Sequence, residues 1–461
     1  MRNSLSHKNT IVWTISISTL IFFICSSLRH ILFHSAVFDL GFFNQAAYLI
    51  SQGKPPISSY LGVHILGDHA AWVWYPLALL YKIHPSVYWL FLIQAVSLAL
   101  GVLPTWLLAL QAGLKESQAV AIAFVYLLYP VVFNTNLFDF HLEVMALPVL
   151  LTAVWFARQR KTIWFCVSII FILGCKAVLS LTVLGMGVWL LIFEKRRWCG
   201  AIAILTGISW FIISTQLILP AFSGQEAFAV GRYSYLGDSI IEIAINLVLK
   251  PGLILGKVFS LANLEYLILL ILPIVWGLSL ASIKPLIPAI PCIALNLLAN
   301  YQAQKDLVHQ YSLPALPFLV LAVIATLATH QGWLQRPKHI ILWSLVTFLC
   351  LAKFTHFSSI YLRTLDTWQA TKEAISQVET SGGVLTTAEI SPHLSHRQLI
   401  HFTEASKPPA DLKLYDYVLL NVRYPGWASN QEFSNSLVNQ LKNQPEFKLS
   451  YQKDDIYLFQ Q

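Results

Sequence analysis

Charge is what this sequence has least of. Only 11% of its 461 residues are Asp, Glu, Lys or Arg, against 56% hydrophobic ones, where a soluble domain carries about 25% charged residues. That shortage excludes a chain that is soluble throughout. Several apolar runs approach or exceed the roughly 20 residues that cross a hydrocarbon core, which predicts a polytopic helical membrane protein. Cysteine is also sparse. Cys25, Cys166, Cys175, Cys199, Cys292 and Cys350 lie in or beside apolar runs with no C-x-x-C spacing, which excludes a disulfide frame and a zinc site and leaves small hydrophobes in helix packing. The net charge of +8 is no nucleic-acid footprint in such a chain. Its source is the bias of Lys and Arg towards cytoplasmic loops.

What is present follows that bias. Lys8 precedes "IVWTISISTLIFFICSSL" with no cleavage site after it, so the run reads as an uncleaved first span with the N-terminus cytoplasmic. Placing Lys115, "ARQRK", "EKRRW", Lys284 and "QRPK" on the inner side yields about eleven spans. Two apolar segments are too short to span, 38–51 and 70–83. They read as helices at the outer interface, the second partly re-entrant. Making 70–83 a full span would turn "ARQRK" and "EKRR" outward, against the rule. The expected domains are a membrane domain over 1–357 and an extracytoplasmic α/β domain over 358–461. In the latter, "VLTTA", "LIHF" and "YDYVLLNV" read as strands, 366–379 and 429–443 as amphipathic helices, and "FKLSYQKDDIYLF" as a hairpin turning at 453–455. This region has no glycine-rich phosphate loop, no G-x-S-x-G and no metal-ligand spacing.

The scarce acids are not scattered evenly. Eleven of the 22 precede residue 358, and in this topology only Glu116 and Glu194 fall on the cytoplasmic side. Asp39, Asp68, Asp139, Glu143, Glu226, Asp238, Glu242, Glu265 and Asp306 gather at the outer face. Acids follow the positive-inside rule only weakly, so a polar site assembled from outer loops is the better account.

Taken in order, "FDLGFFNQAAYLISQG", "LGDHAAWVWYPLALLYKIHPS", "LLYPVVFNTNLFDFHLEVMALP", "GRYSYLG" and "HQYSLPALPFL" resemble the bacterial membrane family DUF2079, over nearly the whole chain. That family is placed among the GT-C glycosyltransferases. The resemblance implies a GT-C-like fold in the bacterial inner membrane and a sugar donor carried on polyprenyl phosphate. It also implies an inverting transfer to an extracytoplasmic acceptor, and an acidic residue in the first outer loop followed by interfacial helices. The matching acid is Asp39, with Asp139 in the next acidic motif. Where family members often read K-E-D, this chain reads Lys176, Ala177 and Val178, so the lysine stays and both acids are gone.

Each candidate has a bland alternative. Asp39 is the candidate base, and equally a cap for a helix starting at Leu40. Asp139 and His141 are candidates to orient it or to bind a divalent cation (Mg or Mn, with Asp39), and equally caps of the next span. Glu143 is a weaker candidate, an acid at a span end. Asp68 and His69 are candidates for binding the acceptor or a metal, and Asp68 is equally a cap. Lys176 and Arg232 are candidates for the donor phosphate, and otherwise headgroup contacts. Tyr235, His309 and Tyr311 are candidates to line the same cavity, and otherwise part of an aromatic belt. Two other functions compete: a transporter or flippase, which would place ionisable residues mid-span in paired broken helices, and a non-catalytic envelope protein.

Overall fold

In the computed structural model the chain is mostly helical, with one five-stranded sheet near its C-terminus. The structure describes residues 2–226, 228–379 and 381–461, with side chains from residue 8 onward. Among these, five helices are long and apolar enough to cross a membrane: Lys8–Ile31, Tyr88–Gln111, Glu116–Leu137, Arg197–Ser223 and Gln310–Ala328. Two bent pairs, Pro251–Val258 with Leu261–Gly277 and Pro337–Leu351 with Lys353–Ser359, bring the number to seven if each is one span. Shorter apolar helices run over Thr162–Cys175, Leu179–Ile192, Ile240–Leu249 and Lys284–Leu298. Glu116–Leu137 and Gln310–Ala328 are mostly enclosed, whereas Lys8–Ile31 and Arg197–Ser223 are mostly exposed. Exposed apolar helices of this length are what lipid contact requires.

The chain packs as two compact units. The first comprises the residues up to Phe23, Leu66–Val73 and Leu92–Lys353; the second comprises Ile24–Ile65, Trp74–Phe91 and Phe354–Gln461.

In the first unit, helices Leu179–Ile192 and Arg197–Ile213 pack along much of their length. Glycines make the approach possible. A Cβ on Gly187 would lie 2.7 Å from the Ile204 nitrogen, and one on Gly200 would lie 2.8 Å from Leu191. Small residues at the crossing let helix backbones meet where no hydrophobic effect drives them together.

In the second unit, β1 (Ile57–Ser58) and β2 (Val63–His64) form a short antiparallel ladder. The main sheet uses β3 (Val384–Thr386), β4 (Ile400–Phe402), β5 (Tyr417–Asn421), β6 (Lys448–Lys453) and β7 (Ile456–Gln460), in the order β4-β3-β5-β7-β6. The first three are parallel and the last two antiparallel. Val418 and Leu420 face Leu437, Val438 and Leu441 of helix Gln431–Lys442, while Asn421 reaches Thr367 of helix Leu365–Ile375 at 3.2 Å. Alternate residues of β5 thus point to helices on opposite faces. The hairpin β6–β7 turns through Asp454 and Asp455, both at positive φ (47° and 62°), a backbone Asp tolerates better than most residues.

Helix Phe42–Ser51 belongs to this unit. Its Asn44 and Gln45 are buried, not turned to water. The Asn44 amide donates to Ser395 Oγ at 2.7 Å and its carbonyl accepts from the Tyr81 hydroxyl at 2.7 Å. Gln45 donates to the Arg397 carbonyl at 3.0 Å. Ser59 donates to the Ile400 carbonyl at 2.7 Å. A purely interfacial helix would need none of these side chains inside; here they join it to the residues around β4.

Candidate functional site

The tight turn between helices Pro130–Leu137 and Glu143–Arg158 carries "FDFHLEV". Asp139 sits there at φ +67°, and Asp139, His141 and Glu143 are all nearly buried, at 2%, 3% and 5% exposure. One amide holds the turn. Gln94, fully buried in helix Tyr88–Leu100, donates to the carbonyls of Asp139 and Asn136 and accepts from the His141 N–H at 3.1 Å. The Glu143 carboxylate pairs with the Lys176 ammonium, whose side chain is only 12% exposed. The charge that balances Lys176 therefore comes from 33 residues away, from an acid that local sequence does not put beside it.

Residues 65–73 are fastened to the same place. The Ala177 N–H donates to the His69 carbonyl at 2.9 Å, and the Val73 N–H to the Gly174 carbonyl at 3.3 Å. The Trp72 ring covers Gly174 so closely that a Cβ there would lie 2.2 Å from it. Gly67 abuts the Phe222 backbone, with room for no side chain. His69 turns Nδ1 to the Asp68 carbonyl at 2.9 Å, with Nε2 3.4 Å from the Asp68 carboxylate. Burial holds the His69 imidazole below its usual range; Asp68 and Glu143 pull it up and Lys176 pushes it down. Asp68, His69, Glu143 and Lys176 thus make one electrostatic group.

A second patch lies around Arg232. Its guanidinium is over the rings of Tyr301 and Tyr311, at 4.6 and 5.1 Å, and donates to Gln304 at 3.1 Å. Among the described residues it has no carboxylate partner. His309 is held at 2.8 Å by Asp306, which also accepts the N–H groups of Val308 and His309. Phe138 joins the two patches. Its ring stacks on His141 at 5.6 Å and meets the His309 ring edge-on at 4.2 Å. Tyr235 is engaged apart from them: its hydroxyl donates to the Leu298 carbonyl at 2.8 Å and Lys257 lies over its ring.

Asp39 belongs to the second unit, in the π-helical turn Val37–Gly41 that leads into Phe42–Ser51. The residue before Phe42 is Gly41, Asp68 lies inside the short helix Ile65–His69, and Leu142 precedes Glu143. The sequence does not single out Gln94 or Phe138. The signal for Gln94 was a lone amide inside an apolar run, which has to find partners in the bundle. Phe138 gave none, since one more aromatic beside a membrane is unremarked.

A divalent cation finds no ready donor set. Among the described residues no three His, Cys, Asp or Glu side chains come together as a metal site, so no step is routed through one.

The fold is ArnT-like. Two structures of ArnT from Cupriavidus metallidurans match over 98% of this chain and 98% of theirs: the form bound to undecaprenyl phosphate, at TM-score 0.56, and the apo form, at TM-score 0.58, both at 11% identity. Residues 29–458 match the family described as "Predicted membrane protein (DUF2079)", and the chain belongs to that family. No curated protein matches it by sequence.

Proposed function

We propose that this protein is a membrane glycosyltransferase that moves a sugar from a polyprenyl-phosphate carrier to an extracytoplasmic acceptor with inversion. The observation that carries this reading is the ArnT-like fold over 98% of both chains, one of them solved with undecaprenyl phosphate. The cations suit the task unequally. Lys176 is already neutralised by Glu143, whereas Arg232 has aromatic and amide partners only, so it has an unspent charge for a phosphate. A groove of about 710 Å³ lined by Phe211, Ile212, Ile240, Ile241, Ile245 and Val248 offers an apolar bed of the kind a prenyl chain needs.

In this reading Asp39 takes the proton from the acceptor hydroxyl as the sugar carbon is attacked and the carrier phosphate departs. Asp139 and His141, on the turn that Gln94 holds, are the further candidates in the first unit. The chain lies in the bacterial inner membrane with about eleven spans, its N-terminus cytoplasmic and 358–461 outside. The test is incubation of the purified protein with radiolabelled polyprenyl-phosphate sugars and envelope extract. Wild type transfers label and Asp39→Asn loses roughly 10²–10⁴-fold in rate. Equal turnover by the variant removes Asp39 as the base. Passage of the intact lipid across liposomes without chemical change would replace the enzyme by a flippase.

A further inference from the structure

The C-terminal sheet has a topological switch point. From β3 the chain moves to β4 on one side, then crosses to β5 on the other, so the loops leaving β3 and β5 part company at their carboxyl ends. In open α/β sheets this switch point is where ligands bind. The loop after β3 reads Thr387-Ala388-Glu389-Ile390-Ser391, the residue after β4 is Thr403, and the loop after β5 carries Gly426, Trp427 and Ser429. The loops meet: the Thr403 N–H donates to the Thr386 carbonyl at 2.9 Å, the Ala405 N–H to the Ala428 carbonyl at 2.9 Å, and the Trp427 N–H to Glu389 Oε1 at 3.3 Å. Gly426, at φ +90°, makes the last contact possible, since a Cβ there would lie 2.5 Å from Glu389 Oε2.

At this spot, among the described residues, the hydroxyls of Thr386, Thr387, Ser391, Thr403 and Ser429 and the free oxygen of Glu389 are buried and hydrogen-bond to no protein group. Thr386, Thr387, Ser391 and Thr403 are at most 1% exposed. Buried polar side chains nearly always have partners, and one gathering of this many in three converging loops is what a binding site looks like. The chemistry narrows the ligand. Two nearby cations are spent elsewhere: Arg397 donates to the carbonyls of Leu394, Gly382 and Glu379, and Arg423 pairs with Asp366 and Asp455. An anion is disfavoured beside a lone carboxylate, and one carboxylate is no metal site. Hydroxyls that both donate and accept, with one carboxylate able to accept two donors, match a neutral molecule with many hydroxyl groups. Beside them is an aromatic edge. Phe38, Phe402 and Trp427 have ring centroids 5.6–6.0 Å apart, with Trp427 63% exposed, a face for the apolar side of a sugar ring.

We infer that the carboxyl end of β3, β4 and β5 is a glycan-binding crevice, with Glu389 and the surrounding hydroxyls holding sugar hydroxyls and Trp427 stacking on the ring. Phe38 stands directly before Asp39, and the turn Val37–Gly41 packs on the turn Ser391–Leu394. Tyr60 links them: its hydroxyl donates to the Ser391 carbonyl at 3.1 Å and closes over Gly41. The crevice therefore holds the acceptor, a claim that rests on the transferase reading above; the binding itself does not.

The test is saturation-transfer NMR on the full-length protein in a sugar-free detergent. The probes are methyl glucoside, methyl galactoside, methyl mannoside and N-acetylglucosamine, with inorganic phosphate as a competitor. At least one glycoside gives a signal that phosphate leaves intact, and the dissociation constant rises at least about tenfold in Glu389→Gln and in Trp427→Ala. Trp427 is exposed, so its variant keeps the wild-type melting temperature. No signal from any glycoside overturns the proposal, as does displacement by phosphate or binding unchanged in both variants. Sugar binding without label transfer keeps the crevice and removes the transferase; transfer without sugar binding does the reverse.

Discussion

Lys176 and Lys453 each hold a glutamate, in different surroundings. The Lys176–Glu143 pair, in the first unit, has side chains 12% and 5% exposed. The Lys453–Glu373 pair, in the second unit, has side chains 48% and 37% exposed at 3.2 Å, and the Tyr451 hydroxyl and Gln369 amide, more than the lysine, draw the Glu373 carboxyl down to about 2. Both look alike as contacts. Their consequences differ because water replaces a lost partner at the surface and cannot do so inside.

The largest effect is therefore expected from splitting the buried pair. Glu143→Gln leaves a buried ammonium without the carboxylate that pairs with it, and such a break costs about 3–5 kcal/mol. It is read as a large drop in melting temperature in detergent. The double change Glu143→Gln with Lys176→Met restores much of the loss; if it melts no higher than the single variant, the pair is not what matters. Next comes Gly174→Ala, whose new methyl meets the Trp72 ring at 2.2 Å. Overpacking of this kind costs about 1–3 kcal/mol, and Trp72→Leu in the same chain relieves it.

A smaller, graded effect comes from acid. Burial holds His393 and His396 down to about 4, and for His396 the Arg397 and His84 charges add to it. In the unfolded chain both take a proton near pH 6.5. Between those values the unfolded state binds more protons, so stability falls as pH drops from about 6.5 to about 4 and is flat above. Melting at pH 7.5, 6 and 5 checks this, and a pH-independent melt over that range refutes it. The smallest effect is Lys453→Ala, which should leave the melting temperature within error; a drop comparable to that of Glu143→Gln would mean the comparison between the two pairs is wrong.

Much of the architecture was legible residue by residue. "YDYVLLNV" and the hairpin through Asp454 and Asp455 carry period-two patterning and turn chemistry that act locally, and strands stand there. The helices Thr162–Cys175 and Leu179–Ile192 follow from apolar runs broken by "GCKAV". The Asp139 motif was visible for a different reason, since a carboxylate is conspicuous where acids are few. Less legible was the use of helix Phe42–Ser51. Its apolar spacing suits an interface, and nothing local says that Asn44 and Gln45 are spent on Ser395 and Arg397, some 350 residues on. Gln94 likewise looks like a blemish in a span until the turn it holds is seen.

Composition and periodicity by themselves determined that this chain is a helical membrane protein with an α/β tail, because burying apolar runs and alternating strands are local decisions of each segment. Which cation keeps a spare charge, which amide holds the Asp139 turn and which hydroxyls end up unpartnered beyond β3 were decided only by the tertiary fold. Those outcomes depend on groups brought together from far along the chain in a medium where each unpaired polar atom is costly.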